Sequence, residues 1–136
     1  MSDKYILVGQ TPVPETDLIA WASSFEMADR RVASTRIVGL FEEIQVSTVF
    51  LGIDHQWGSG PPILFETMIF GGPLDQRLWR WETWKDAEMG HAWVVQEAKT
   101  MHPWTSIKHL FSMLWEYIGD AWWDLKGELY GMVEKQ

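Results

Sequence analysis

The sequence predicts an α+β domain in which an antiparallel sheet of about four strands is packed by an N-terminal helix, a middle helix and a long amphipathic C-terminal helix. Three observations lead to this prediction. Short runs rich in β-branched and aromatic residues fill the centre of the chain, helical periodicity flanks them, and no linker, repeat or low-complexity tract intervenes. The 136 residues are expected to form a single domain, with residues 103–134 as its Trp-rich helical extension.

The N-terminal part is predicted to hold a strand, a loop, a helix and a second strand. Tyr5 to Val8 is a strand candidate, and GQTPVPE is predicted to be a loop because two prolines and a glycine interrupt periodicity. Thr16 is the expected N-cap of a helix from Asp17 to Asp29. Its apolar residues recur at helical spacing and are Leu18, Trp21, Ala22 and Phe25. The segment RRVASTRI follows as a strand.

The two strongest strands run from Ile44 to Asp54 and from Ile63 to Phe70. Both are apolar on nearly both faces, which is typical of strands in the middle of a sheet. A fourth strand is expected over Leu78 to Trp81. Thr83 and Asp86 have the spacing of a capping box, so a second helix should run from about Trp84 to Lys99.

The C-terminal segment is predicted to be one long amphipathic helix with an acidic flank. Four acids, Glu116, Asp120, Asp124 and Glu128, recur every four residues, and Trp123 and Tyr130 fall beside them at 100° per residue. We expect these six residues to form a protein interface, in which Trp123 is the anchor. The expected contact is with a second copy of the chain, with a basic surface on a foreign partner, or with both.

Composition excludes several classes of protein. The formal net charge of -8 has the wrong sign for a protein that neutralises phosphates, so no direct nucleic-acid binding is expected. The absence of cysteine excludes disulfides and thiolate chemistry and fits a cytosolic protein. No apolar run is long enough to span a bilayer, so we expect no membrane span.

The segment VSTVFLGIDHQWGSGPPILFETMIFGG places Asp54, His55 and Glu66 around a Gly/Pro-rich turn. If the turn is centred near Gly60, Asp54 lies roughly opposite Glu66, and two neighbouring carboxylates beside a histidine could perform acid/base chemistry. The sequence favours a structural interpretation instead. Asp54 then caps the turn by accepting from backbone amides, while Glu66 pairs with an arginine on a neighbouring strand, such as Arg36, Arg77 or Arg80.

Tryptophan is unusually frequent, with ten residues. Packing in the core is the expected role of six of them, Trp21, Trp84, Trp93, Trp104, Trp115 and Trp122. Trp57 lies in the Gly-rich turn, where it either folds back over the end of the sheet or forms a ligand lip. The lip would combine Asp54, His55, Trp57 and Glu66 with the arginines Arg30, Arg31 and Arg36.

No metal, cofactor or catalytic residue is assigned from the sequence. Glu88 and His91 have the Glu-x-x-His spacing of di-metal carboxylate bundles, but such bundles need a second copy, and the sequence has none. The segment GSGPP matches neither a phosphate-binding loop nor the nucleophile turn of serine hydrolases.

The last feature is a set of four segments, FEMADRRVASTRI, VSTVFLGIDH, GPPILFETMIFGG and ETWKDAEMGH. Together they resemble a group of small tailed-phage proteins of unknown function. The resemblance covers about Lys4 to Ala98, whereas the Trp-rich C-terminal extension does not match. It implies a phage or prophage source and a location in the cytoplasm of an infected bacterial host. Because small accessory phage proteins often bind host defence proteins or their nucleotide signals, the resemblance favours a binding module over an enzyme.

These observations predict a non-enzymatic phage accessory protein that binds and neutralises a host factor, for example a defence protein. One alternative is a small-ligand binder, such as a sponge for a nucleotide signal, and a second is an uncharacterised hydrolase. The expected partners are therefore a host protein or a small-molecule signal, together with a second copy of the chain in a dimer.

Overall fold

Two antiparallel sheets and two helices make up the part of the chain that the computed structural model describes, which is residues 3–39, 42–101 and Leu114. Contacts divide the chain into two units, Met1–His102 and Pro103–Gln136. In the second unit only Leu114 is described, so the predicted C-terminal helix lies outside the described residues.

The elements follow one another as β1 (Tyr5–Val8), β2 (Thr11–Pro14), α1 (Leu18–Met27), β3 (Arg31–Val38), β4 (Glu43–Phe50), β5 (Phe65–Phe70), β6 (Leu78–Trp81) and α2 (Trp84–Thr100). β1 and β2 form a two-stranded sheet. β3, β4, β5 and β6 form a four-stranded antiparallel sheet in chain order, which confirms the α+β class and the central places predicted for β4 and β5.

The prediction that GQTPVPE is a loop is wrong, because residues 11–14 of this segment form β2. The amide of Glu15 donates to the carbonyl of Lys4 at 2.9 Å, in register with the pairing of Val13 with Ile6. Backbone bonding alternates along an antiparallel ladder, so the nitrogens of Pro12 and Pro14 point away from β1. Proline is tolerated at such positions because no donor is lost from the ladder.

The first helix begins one residue later than predicted. Its N-cap is Asp17, not Thr16, since the Asp17 carboxylate accepts from the amides of Ile19 at 2.8 Å and Ala20 at 3.1 Å. The helix ends at Met27.

α1 docks on the chain just after β4 through two stacked aromatic rings. Trp21 and Phe25 stack with centroids 5.1 Å apart, and the Trp21 indole N–H donates to the carbonyl of Gly52 at 3.0 Å. Gly52 has φ of 73°, and a Cβ there would lie 2.7 Å from the Phe25 ring. Only glycine therefore fits both the backbone conformation and the close approach of the helix.

The core lies between α2 and one face of the four-stranded sheet, which we call the inner face. β4 and β5 supply its buried residues in alternation: Ile44, Val46, Thr48, Phe50, Phe65, Thr67 and Ile69. α2 contributes a stripe at helical spacing: Ala87, Gly90, His91, Val94, Val95 and Ala98. The capping prediction for this helix is confirmed, since Thr83 Oγ1 accepts from the amide of Asp86 at 3.1 Å.

The core assignment of Trp93 is wrong. Its side chain is 49% exposed and lies edge-to-face against Trp79, with centroids 5.7 Å apart. Trp84 packs edge-on against Phe65, and both Trp84 and Trp21 are half-buried. Neither helix in the described part of the chain has the length and apolar character that a membrane span requires.

Candidate functional site

The segment between β4 and β5 is an ordered loop closed at both ends by one carboxylate oxygen. Asp54 Oδ1 accepts from the amide of Gln56 at 2.8 Å and from that of Ile63 at 2.9 Å. The amide of His55 also donates to the carbonyl of Ile63 at 3.0 Å. The sequence prediction that Asp54 caps the turn is confirmed. We call residues 55–62, which this carboxylate closes, the Trp57 loop.

Trp57 stands at 91% exposure on this loop, so the alternative in which it folds back over the end of the sheet is wrong. The neighbouring His55 is half-buried, and its Nδ1 lies 2.8 Å from the carbonyl oxygen of Ile53. Because a carbonyl only accepts, Nδ1 carries the proton. The imidazole therefore orients the backbone at the start of the loop, while the indole faces solvent.

Glu66 does not face Asp54. The register pairs Glu66 with Val49, and the first pair of the two strands joins Phe50 to Phe65, so the turn is not centred near Gly60. The Glu66 carboxylate instead accepts from Arg80 Nε at 3.1 Å, on the face of the sheet away from α2. This confirms the predicted pairing of Glu66 with an arginine, and the two carboxylates have separate partners.

Of the three arginines predicted to join the ligand lip, Arg36 lies apart from Arg30 and Arg31, which are consecutive residues beside the end of β4. Arg36 forms a 3.0 Å ion pair with Glu43, which is the first residue of β4, whereas the Trp57 loop follows the last. The length of β4 separates these positions by about 24 Å. The guanidinium of Arg30 lies 3.7 Å from the centroid of the Phe25 ring. Arg31 is exposed at the start of β3.

A buried polar chain crosses the core from β6 to β3. The Trp81 indole N–H donates to Thr67 Oγ1 at 2.9 Å, and Thr67 Oγ1 lies 2.6 Å from Thr48 Oγ1. His91 continues the chain, with Nδ1 2.8 Å from Thr48 Oγ1 and Nε2 2.8 Å from Thr35 Oγ1. Burial lowers the pKa of His91 below its ordinary value of 6.5, because the charged imidazole would lose hydration.

The burial of Thr67 favours one tautomer of His91. An indole can only donate, so Thr67 accepts from Trp81, and because Thr67 is fully buried its own proton goes to the neighbouring Thr48 oxygen. Thr48 then donates to Nδ1 of His91, which leaves the proton on Nε2 to bond Thr35. With the imidazole neutral, this arrangement pairs the side-chain donors of Trp81, Thr67, Thr48 and His91. His91 therefore bonds α2 to β3 and β4 directly, and to β5 and β6 through Thr48 and Thr67. It is engaged in structure rather than exposed for chemistry.

An open groove of about 700 Å³ runs beside β6. Its lining residues are Ile63, Arg80, Trp81, Glu82, Asp86, Met89, Gly90 and Trp93. The helix approaches closely here, since a Cβ at Gly90 would lie 2.2 Å from Cζ2 of Trp81. The groove thus combines apolar walls with a rim that carries both acidic and basic groups.

The remaining predicted interface residues, 116–130, lie outside the described residues. Within residues 3–39 and 42–101, no three His, Asp or Glu side chains come together as potential metal ligands. Glu88 is exposed while His91 is buried, so these two residues do not share a site.

Replacing Asp54 by alanine should lower the free energy of unfolding by about 1.5–3 kcal/mol, because two backbone amides lose a charged acceptor. The quantity is measured by urea denaturation. Asp54→Asn keeps an acceptor oxygen in the same place and should lose less than Asp54→Ala. A loss within about 0.5 kcal/mol for Asp54→Ala would contradict the role of this carboxylate in closing the loop.

The buried polar chain and the groove were not predicted from the sequence. Thr35, Thr48 and Thr67 each occupy an inward position of a strand, and this alternation is a sequence signal that could have suggested a polar centre in the core. The contacts between these threonines and His91 depend on the register of the strands and on the position of α2 across the sheet. Neither can be predicted from a single sequence.

The sequence matches no protein family, and comparisons with curated proteins and with solved structures give no significant match. The chemistry of the described residues is therefore the basis for a functional proposal.

Proposed function

We propose that the protein is a non-enzymatic phage accessory protein that binds and neutralises a host factor, and that the Trp57 loop carries the contact. The observation that supports this proposal is a tryptophan 91% exposed on a loop that one carboxylate closes at both ends. The phage assignment rests on the resemblance of the four sequence segments described above.

An exposed indole on an ordered loop is suited to partner binding for energetic reasons. Burying a tryptophan removes about 150–250 Å² from water, which corresponds to roughly 4–6 kcal/mol before ordering costs are subtracted. Those costs are small where the loop is already fixed, as the bonds of Asp54 fix this one. Tryptophan is accordingly among the residues enriched at interface hot spots.

The ionisable groups near the loop support binding rather than hydrolysis. Asp54 and His55 are bonded to the backbone of the loop and its approach, and Glu66 is paired with Arg80. A general acid or base needs to reach the substrate, and each of these side chains is already engaged in holding structure.

The placement of the arginines argues against the nucleotide-signal sponge. A site that holds phosphates through arginine side chains needs those side chains to converge on one point. Arg36 is engaged with Glu43 at the far end of β4, and Arg30 covers Phe25, so neither converges with the exposed Arg31. The net charge of -8 favours a partner that presents a basic surface instead.

The test is capture of partners from bacterial lysate with tagged wild type, Trp57→Ala and Trp57→Phe, followed by mass spectrometry of proteins and small molecules. One host protein should be captured by wild type and lost with Trp57→Ala, while Trp57→Phe retains part of it. Titration of that purified protein should show affinity at least about 30-fold weaker for Trp57→Ala, as expected for a hot spot.

Met27→Ala is the matched control, because Met27 is 87% exposed on α1 and its truncation should leave capture unchanged. Trp57→Ala should also unfold at the same urea concentration as wild type, since the side chain is exposed. Equal capture by wild type and Trp57→Ala would refute the assignment of the contact to this loop. Recovery of a nucleotide in place of a protein would support the sponge.

A further inference from the structure

The edge of the sheet formed by β6 carries backbone groups that point away from β5. The amide of Ile69 donates to the carbonyl of Arg77 at 3.0 Å, in register with the pairing of β5 and β6. Backbone bonding alternates along the ladder, so the N–H and C=O groups of Leu78 and Arg80 face the open edge. Among the described elements, only β5 pairs with β6. Such an edge is a template for another strand.

The two edges of the sheet differ. β3, at the opposite edge, has a break in register between Arg31 and Ala33, and such irregularities twist an edge away from pairing. The register of β6 runs without a break from Trp81 to Leu78. The β6 edge is thus the one whose geometry permits extension of the sheet.

Exposed apolar side chains border the β6 edge on both faces of the sheet. Met89 and Trp93 of α2 are 64% and 49% exposed beside the groove, and Leu78 is 42% exposed on the other face. A strand added at this edge would cover them. An added strand would therefore be stabilised by the burial of these apolar side chains as well as by backbone hydrogen bonds.

The charges along β6 indicate which strand fits. Arg77 precedes the strand, whereas Glu82 and Asp86 follow it at the groove. A strand with a basic start and an acidic end is complementary to an antiparallel copy of itself, because each basic end then meets an acidic end. The Arg77 guanidinium already lies on the inner face, 5.8 Å from the centroid of the Trp79 ring.

We propose that two copies of the chain pair through β6, antiparallel about a two-fold axis that passes beside Trp79. In this register the backbone of Leu78 in each copy bonds that of Arg80 in the other, as the outward groups require. Arg77 of each copy lies across from Trp81 of the other and extends into its groove towards Glu82 and Asp86. The two sheets join into one continuous sheet with an isologous interface.

This contact lies on β6 and does not depend on partner binding through the Trp57 loop, so either proposal can fail alone. The test is sedimentation velocity of the full chain over a concentration series at low salt. Wild type should be dimeric. Arg77→Glu and Glu82→Arg should each raise the dimer dissociation constant by about tenfold or more, because each charge is reversed at both symmetric contacts.

The double variant Arg77→Glu/Glu82→Arg should dimerise more tightly than either single variant, since the pairing with residue 82 is restored with opposite polarity while Asp86 remains acidic. Arg31→Glu makes the same charge change at the opposite edge and should leave the dimer unchanged. A chain that stays monomeric at all concentrations would overturn the proposal, and this is also the result if the edge serves another protein. A dimer indifferent to both reversals would equally overturn it.

The register has its own test, because the chain contains no cysteine. Paired residues that exchange backbone bonds lie about 5.5 Å apart, which a disulfide can span. An equimolar mixture of Leu78→Cys and Arg80→Cys should therefore form a crosslinked dimer on mild oxidation, in greater yield than either variant alone. Equal yields from the mixture and the single variants would refute this register.

Discussion

Gly90→Ala is expected to destabilise the fold by about 1–3 kcal/mol, although alanine in place of glycine usually stabilises a helix by up to about 1 kcal/mol. The sign reverses because the new methyl group would overlap the Trp81 ring, whose nearest atom lies 2.2 Å from the Cβ position. The ring cannot move freely, since its N–H is bonded to Thr67. Displacing it therefore breaks the buried polar chain as well as the packing.

Urea denaturation of Gly90→Ala, Trp81→Leu and the double variant measures this effect as a double-mutant cycle. Trp81→Leu alone should be destabilising, because it removes packing and leaves Thr67 without its donor. Adding Gly90→Ala to it should then have little effect or restore some stability, since the overlapping ring is gone. If Gly90→Ala raises the stability of wild type, the close approach of α2 to β6 is not as described.

His91→Leu is expected to lower the free energy of unfolding by about 1–3 kcal/mol, because the buried hydroxyl of Thr48 loses its acceptor. Thr48→Val removes the other half of the same bond. The two substitutions together should therefore lose at least about 0.5 kcal/mol less than the sum of the single losses. If the two losses of stability are additive, His91 stabilises the fold through packing and not through its bond to Thr48.

The pH dependence of stability follows from the same side chain. Burial lowers the pKa of folded His91, so the unfolded chain takes up a proton near pH 6.5 while the folded chain does so only at lower pH. Stability should consequently fall as the pH drops below about 6.5 and level off below the folded pKa. His91→Leu should lack this part of the slope, which denaturation at several pH values measures. An identical slope in both proteins would contradict the neutral, buried imidazole.

The parts of the fold that could be predicted from the sequence are those set by local chemistry. The apolar character of β4 and β5 indicated central strands, and the spacing of Thr83 and Asp86 indicated the start of α2. β2 could not be predicted in this way. Whether Pro12 and Pro14 disrupt a strand depends on which way their nitrogens point, and that is a property of the pairing register.

In the candidate functional site, too, only the roles set by local chemistry could be predicted from the sequence. Asp54 caps its turn with bonds to residues 56 and 63, a role that follows from its place beside a Gly/Pro-rich segment. The prediction that Asp54 lies opposite Glu66 depended on centring the turn near Gly60. The observed register pairs Glu66 with Val49 instead, so the two carboxylates are separated. The exposures of Trp57 and Trp93 depend on what packs against them, so composition alone assigned Trp93 to the core.

The most direct measurement of the proposed function is site-specific photocrosslinking in a bacterial host. A photoreactive phenylalanine analogue replaces Ser59 of the Trp57 loop in one variant and Met27 in the other, because both positions are exposed and Trp57 itself stays in place. We expect a discrete crosslinked host protein with the probe at position 59 and none with the probe at position 27. The same set of products from both positions, or no product from position 59, would contradict a partner-binding role for the Trp57 loop.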